Sequence, residues 1–177
     1  MLDYFGYKFS TREIIPEGLS GVRRTLTRMG SLAHAGRRDP IIRRLAMHIT
    51  RYSPSRDWNT EIDQLHRWVQ NNIRYTRDPV DTLSGNVSRG IEYISTPRAT
   101  LETRAGDCDD HAILLSSLLG SIGHPSRFVA SGAQNPSHVY VETPLANHRW
   151  VSVETTLPVA KGWRPHDERV RMVHYAL

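Results

Sequence analysis

The chain carries a single cysteine, Cys108, within the segment Gly106-Asp107-Cys108-Asp109-Asp110-His111. A predicted helix begins at this point, and the unpaired N–H groups and dipole of a first helical turn favour a thiolate. Gly106 allows a sharp turn and lets a substrate carbonyl approach the N–H of Cys108 as an oxyanion donor. The segment therefore predicts a thiol nucleophile. The neighbouring aspartates act against it, because nearby negative charge raises the pKa of a thiol.

A cysteine nucleophile needs a base, and His138 is the histidine that we pair with Cys108. It opens a predicted strand after the turn at residues 134–137, where its side chain can face a cleft. Glu154 ends the following predicted strand, so hairpin pairing would bring its carboxylate beside His138. There it would hold the tautomer of the imidazole and stabilise the imidazolium. We predict a catalytic site of Cys108, His138 and Glu154.

Other interpretations of the cysteine segment remain open. A free cysteine is commonly a small buried hydrophobe, so a structural role for Cys108 is the alternative. His111 lies one helical turn later and is interpreted as a packing or supporting residue rather than the base. Asp109 and Asp110 are interpreted as charges at a helix end. Side chains of successive helical residues diverge, so we predict that residues 107–111 hold no metal ion, and the proposed site implies no organic cofactor.

Hydrophobic periodicity predicts the helices that position this site. Apolar residues recur at spacings of three and four in three N-terminal segments, and His66 within one of them needs no function of its own. A polar stretch from Tyr75 to Ser95 is predicted to be a loop. The predicted helices run from after Gly18 to near Gly36, from Pro40 to Ile49, from Trp58 to Ile73, from Thr96-Pro97 through Leu101, and from Asp107 or Cys108 to Leu119.

The C-terminal part changes to period-two alternation, which is typical of strands. The predicted strands are residues 127–130, 138–142 and 149–154. Helices followed by an antiparallel meander indicate an α+β fold. We predict an N-terminal helical extension at residues 1–39 and a single domain at residues 40–177.

The order and spacing of these motifs resemble the transglutaminase-like superfamily. The resemblance extends over about residues 40–165, and its strongest motif is Asp107-Cys108-Asp109-Asp110 at the start of a helix. It is greatest to small transglutaminase-like proteins of bacteriophages and prophages, in which the pattern of residues 100–111 and the later Gly162-Trp163 recur. The other matching segments are residues 121–129, 138–142 and 150–156.

The resemblance implies a papain-like core in which a central helix carries the cysteine and an antiparallel sheet carries the histidine and the acid. It implies an enzyme that acts on amide bonds of a protein or peptide, either by hydrolysis as a cysteine protease or amidase, or by acyl transfer to an amine. Hydrolysis is the outcome that we expect of a small bacterial or viral member. The family usually has Asp at the position of Glu154, and a glutamate can also accept the imidazole N–H. The alternative is a non-catalytic virion structural or assembly protein that retains the fold.

Charge is distributed unevenly along the chain, whose formal net charge is +5. Residues 1–56 carry 11 basic and 4 acidic residues, whereas the remaining 121 residues carry 12 basic and 14 acidic ones. Such a basic segment suits contact with an acidic partner, another virion protein or packaged nucleic acid. No named nucleic-acid module accompanies it, so nucleic-acid contact is a weak prediction.

The sequence predicts neither a membrane span nor a secretory signal. No stretch reaches the roughly 20 apolar residues that a bilayer span needs. The first residues lack a basic region followed by an apolar one, so we expect synthesis in the cytoplasm and possible later incorporation into a virion.

Overall fold

A computed structural model describes residues 10–14, 18–77 and 91–176 of the chain. The helices are α1 (Leu19–Gly36), α2 (Pro40–Ile49), α3 (Trp58–Asn72), α4 (Pro97–Thr103) and α5 (Cys108–Ser121). The strands are β1 (Ser10–Ile14), β2 (Arg74–Tyr75), β3 (Ile91–Ser95), β4 (Ala105–Gly106), β5 (Ser126–Gly132), β6 (His138–Pro144), β7 (Trp150–Val153) and β8 (Val170–Ala176). Helices that pack against an antiparallel sheet confirm the predicted α+β class.

Side-chain caps determine where several helices begin. Asp39 accepts a hydrogen bond from the N–H of Ile41 at 2.7 Å, and Pro40 takes the first helical position of α2. Asp107 plays the same part for α5. A capping side chain of this kind contributes about 1 kcal/mol to helix stability. The predicted starts of α2 and α5 are therefore confirmed, and the second of them places Cys108 in the first turn of its helix.

Helix α5 is the centre of the core. Its middle is buried on every side, because the helices α1 to α4 pack around it and β5 and β6 cover its remaining face. Burial of each leucine or isoleucine side chain contributes about 1.5–3 kcal/mol to the stability of the fold. A helix enclosed in this way cannot shift without opening the core, so the residue at its start is held rigidly. The fully buried side chains of α5 are Ile113, Leu114, Leu115, Leu118 and Leu119.

Helices α1 and α2 each have one buried face and one polar face. Met29 and Ala46 are fully buried, whereas Arg23, Arg24 and Arg44 are exposed. This is the amphipathic pattern of a surface helix. Among the residues that the structure describes, no helix is long and apolar enough to cross a membrane.

The main sheet has the order β7-β6-β5-β8, and all of its neighbouring strands are antiparallel. The predicted meander corresponds to β5, β6 and β7 and is confirmed. Strand β8 was not predicted, although its residues alternate between half-buried and exposed. The loop predicted from Tyr75 to Ser95 is wrong at its end, where β3 pairs with β1. Residues 78–90 of that prediction lie outside the described residues.

Candidate active site

The turn before Cys108 is held by a strand pair and by a close contact with α5. Strand β2 runs parallel to β4 and pairs Tyr75 with Gly106, two residues before the cysteine. A Cβ atom on Gly106 would lie 2.5 Å from the Cβ of Asp110, which is too close for any other residue. Gly106 is therefore required because the side chain of Asp110 packs directly against its backbone.

The three aspartates beside the sulfur have three different partners. Asp107 accepts hydrogen bonds from the N–H groups of Asp109 and Asp110 at 3.0 and 3.3 Å. Asp110 accepts the N–H of Ser95 at 2.8 Å and so ties α5 to the end of β3. Asp109 accepts the S–H of Cys108 at 3.6 Å. Asp109 and Asp110 lie in the first turn of α5, as expected of charges at a helix end, and both are buried.

The surroundings of Cys108 favour the neutral thiol. Burial raises the pKa of Cys108 strongly, and the carboxylates of Asp109 and Asp107 raise it further. The backbone N–H of Val139 points at the sulfur and lowers the pKa by a smaller amount. Because Val139 follows His138 directly in β6, this contact brings the sulfur against the strand that carries the histidine. In the resting state Cys108 therefore keeps its proton.

His138 and Glu154 form a direct pair. His138 is the first residue of β6, Glu154 follows the last residue of β7, and Nε2 of His138 lies 2.5 Å from Oε2 of Glu154. An ionised carboxylate can only accept, so Nε2 carries the proton in the neutral imidazole. Nδ1 of His138 is then the nitrogen that can take up a proton.

The second carboxylate oxygen of Glu154 is also occupied. Oε1 accepts the N–H of Thr156 at 2.6 Å and its hydroxyl at 2.7 Å, which leaves Oε2 for His138. Burial raises the pKa of the Glu154 carboxyl, but the hydrogen bonds from His138 and Thr156 outweigh it and hold the pKa below its ordinary value. Glu154 is thus charged at neutral pH and has one orientation.

Two side chains of helix α3 hydrogen-bond to the backbone of Glu154, a role that the sequence did not reveal. His66 donates from Nε2 to the carbonyl oxygen of Glu154 at 2.5 Å, and Gln70 donates to the same oxygen at 3.0 Å. Gln70 also reaches the carbonyls of Leu157 and Val159. Burial lowers the pKa of His66, which therefore stays neutral. The one available signal was that His66 and Gln70 stand four residues apart and so share a helix face.

Cys108 and His138 line the same cleft, which has a volume of about 410 Å³. Its rim includes Tyr75 and Arg77 from the segment that contains β2, and Asp107 beside the cysteine. Residues of α1 also line the cleft, so this helix contributes to the site as well as to the core. The wall residues of α1 are Gly21, Val22, Thr25, Leu26 and Met29.

The structure also describes His111 and the acidic residues beside Cys108, for which we made separate predictions from the sequence. His111 is buried beside Tyr75, with the ring centroids 6.3 Å apart, and burial lowers the pKa of His111. Asp107, Cys108 and Asp109 each bring one potential metal-ligand atom within 4.8 Å of the others. The expectation that these side chains diverge is therefore wrong, because Asp107 is an N-cap and lies outside the helix. Within the described residues, Asp107 binds helix amides and Asp109 binds the thiol, so each already has a partner.

Comparisons with known proteins give a family for the sequence and relatives of its fold. The sequence profile described as the transglutaminase-like superfamily matches residues 43–155. UPF0252 protein MJ1282 of Methanocaldococcus jannaschii is 36% identical over 64 residues, which are 36% of this chain and 18% of that protein. The chain therefore spans less than a fifth of this curated relative.

Two solved structures share the fold. A candidate cysteine protease from Cytophaga hutchinsonii aligns with a TM-score of 0.51 at 19% identity, over 75% of this chain and 45% of that one. A candidate protease from Parabacteroides distasonis aligns with a TM-score of 0.50 at 13% identity, over 76% of this chain and 32% of that one. At these identities the likeness shows the fold alone, and the chain covers less than half of either structure.

Proposed function

Since this chain belongs to the transglutaminase-like superfamily, we propose that it is a cysteine enzyme acting on amide bonds through Cys108, His138 and Glu154. The observation that carries the proposal is the His138–Glu154 pair at 2.5 Å in a cleft that Cys108 also lines. The chemical class of substrate is a protein or peptide amide. No metal or organic cofactor takes part in the proposed steps.

The raised pKa of Cys108 favours a general-base step over a resting ion pair. As the sulfur attacks the carbonyl carbon, its proton passes to Nδ1 of His138 and the carbonyl π electrons move to oxygen. Glu154 stabilises the imidazolium through Nε2–H. When the C=O bond re-forms, the C–N bond breaks and the leaving amine takes the proton from Nδ1. The product is a thioester on Cys108.

The thioester then passes to water or to a second amine. Cys108 is only partly buried, so water can reach the acyl group. This access supports hydrolysis, with the proton of the attacking water taken by His138 and the carboxylic acid released from sulfur. An amine acceptor would follow the same sequence and give a new amide.

A chromogenic ester tests the proposal without knowledge of the natural substrate. We expect p-nitrophenyl acetate to acylate the wild-type protein with a burst of one p-nitrophenolate per chain. Cys108→Ala should abolish the burst, and His138→Ala should slow it by about 10²-fold or more. His148→Ala, in an exposed turn, is the matched control and should match wild type. A burst that persists in Cys108→Ala would refute the assignment of the nucleophile.

The second candidate is a structural or assembly protein of a phage or prophage, which would be made in the cytoplasm and then incorporated into virions. The basic surface of α1, α2 and the turn after them supports it: residues 18–56 contain nine arginines and one acidic residue, Asp39, whose carboxylate caps α2. Such a surface suits an acidic virion protein or packaged nucleic acid. Peptide mass mapping of purified particles tests this candidate, and absence of the chain from them would exclude it. Presence in particles together with an ester burst would support an enzyme carried in the virion.

A further inference from the structure

Tyr75 lies on the rim of the cleft and has no part in the steps above. Strand β2 pairs it with Gly106 at the turn that leads into Cys108, and Tyr75 and Cys108 line the same cleft. Its ring packs beside His111 on the core side, at 6.3 Å between centroids. The side chain remains 44% exposed, so part of it is open to a bound substrate.

The phenol of Tyr75 keeps its proton at neutral pH. Burial raises the pKa of Tyr75, and electrostatic interaction with Cys108 and Asp107 raises it further. The guanidinium of Arg77 donates a hydrogen bond to the phenol oxygen and opposes that rise. A tyrosine hydroxyl both accepts and donates, so with Arg77 on its oxygen the Tyr75 O–H is polarised and can donate to a second group.

We propose that the Tyr75 hydroxyl, supported by Arg77, is the side-chain oxyanion donor of this site. The inference rests on the proposed function, because an oxyanion forms only when Cys108 attacks a carbonyl. When the C–S bond forms, the carbonyl π pair becomes a lone pair on oxygen. Tyr75 O–H donates to that oxygen without transferring its proton, and the hydrogen bond is released when the C=O bond re-forms.

A backbone donor completes the pair. The N–H of Cys108 stands in the first helical turn, where the helix leaves its amides without an internal partner. Asp107 and Asp109 bring negative charge to the same edge of the cleft. This negative charge would destabilise an oxyanion, so the oxyanion needs hydrogen bonds from both donors. Arg77 adds a positive charge beside the phenol, which offsets part of the aspartate field.

Two reactions of the same thiol separate this role from a structural one. Acylation of Cys108 by p-nitrophenyl acetate passes through an oxyanion, whereas alkylation by iodoacetamide displaces iodide and forms none. In Tyr75→Phe we expect the acylation rate to fall by about 10²-fold, the usual effect of removing an oxyanion donor. The alkylation rate should stay within about twofold of wild type, because no donor is needed in that reaction. Tyr52→Phe, at a side chain 82% exposed outside the cleft, is the matched control.

The other outcomes overturn the inference. Equal losses of acylation and alkylation would mean that Tyr75 only supports the fold around Cys108. An unchanged acylation rate would mean that the hydroxyl does not contact the oxyanion. Arg77→Gln should lower acylation by less than Tyr75→Phe, and a larger loss would make Arg77 the donor instead. If wild type alkylates normally but never acylates, the proposed function itself fails, and this inference fails with it.

Discussion

Glu142 within the main sheet and Glu154 directly after β7 are both buried carboxylates, 0% and 1% exposed, yet their surroundings differ. Glu142 lies within β6 and binds three arginines: Arg127 at 2.7 Å, Arg164 at 2.9 Å and Arg171 at 2.5 Å. Glu154 binds no arginine that the structure describes. Its oxygens accept from Thr156 and from His138.

The difference distinguishes a carboxylate that stabilises the fold from one that is suited to the proposed chemistry. An arginine is permanently charged, so three of them balance Glu142 in every state of the protein. A histidine is neutral or charged at physiological pH, so Glu154 can stabilise an imidazolium that forms only during a reaction. Both carboxyls have a lowered pKa, although burial raises it in each case. The kind of partner, rather than the direction of the shift, distinguishes the two sites.

The largest expected effect is on activity in Glu154→Gln. Thr156 donates twice to Oε1, so the amide oxygen of the glutamine will stay there and its NH₂ group will face His138. Nε2 must then accept, which places the imidazole proton on Nδ1 and removes the base. We expect the acylation rate to fall by about 10³-fold or more, as for a triad whose acid imposes the wrong tautomer.

The control for this variant is Glu154→Asp, which keeps a carboxylate. We expect it to retain more activity than Glu154→Gln, although the shorter side chain weakens the contact with His138. The measurement is the p-nitrophenyl acetate burst rate, with the urea midpoint as a check on folding. Equal rates in the two variants would show that the charge and tautomer of His138 do not depend on residue 154.

Glu142→Gln should instead reduce stability and leave the chemistry intact. The substitution removes the charge that balances three arginines, and breaking a buried ion pair costs about 3–5 kcal/mol. We expect about 3 kcal/mol, because Arg164 and Arg171 keep contact with water. Urea unfolding measures the loss, and the burst rate per folded molecule should stay within about twofold of wild type. A loss of activity without a loss of stability would contradict the structural role that we assign to Glu142.

Acid should destabilise the protein through both carboxylates. Each has a folded pKa below its ordinary value of 4.5, so the unfolded chain takes up protons at a higher pH than the folded chain. Their contribution is complete above that ordinary value and is lost as the pH falls through the folded pKa. Urea unfolding at a series of pH values below about 5 should show a steeper loss in wild type than in Glu142→Gln. Glu102→Gln, at an exposed i,i+4 pair, should retain the wild-type slope.

Asp109 is another buried carboxylate. Glu154 supports the proposed base, whereas Asp109 opposes ionisation of the proposed nucleophile. Burial and then Asp109 raise the pKa of Cys108, so at neutral pH the thiolate fraction lies below that of free cysteine. Asp109→Asn should lower this pKa and increase the rate of iodoacetamide alkylation at pH 7 by about three- to tenfold, since each pKa unit changes the thiolate fraction tenfold. Asp167→Asn, at an exposed aspartate, is the control. A rate that does not change would mean that Asp109 does not raise the pKa of Cys108.

Local signals in the sequence were enough to predict the helices and three of the strands. Apolar spacings of three and four and the change to period-two spacing are read over a few residues, so they predicted the helices and the meander. Strand β8 was missed because a half-exposed edge strand with arginine and histidine among its apolar residues has a weak pattern. Strand β3 was missed because its partner, β1, lies about 80 residues earlier in the chain.

By itself the sequence determined which residue types were available: one thiol at a capped helix start, a histidine at the start of one strand and a glutamate after another. Only the tertiary structure decided how they are held. His66 and Gln70 bind the backbone of Glu154 across 88 and 84 positions of the chain. Tyr75 reaches the cleft through pairing with Gly106. These contacts depend on burial and on long-range packing, which no short pattern encodes, and they hold in place the groups on which the proposed chemistry depends.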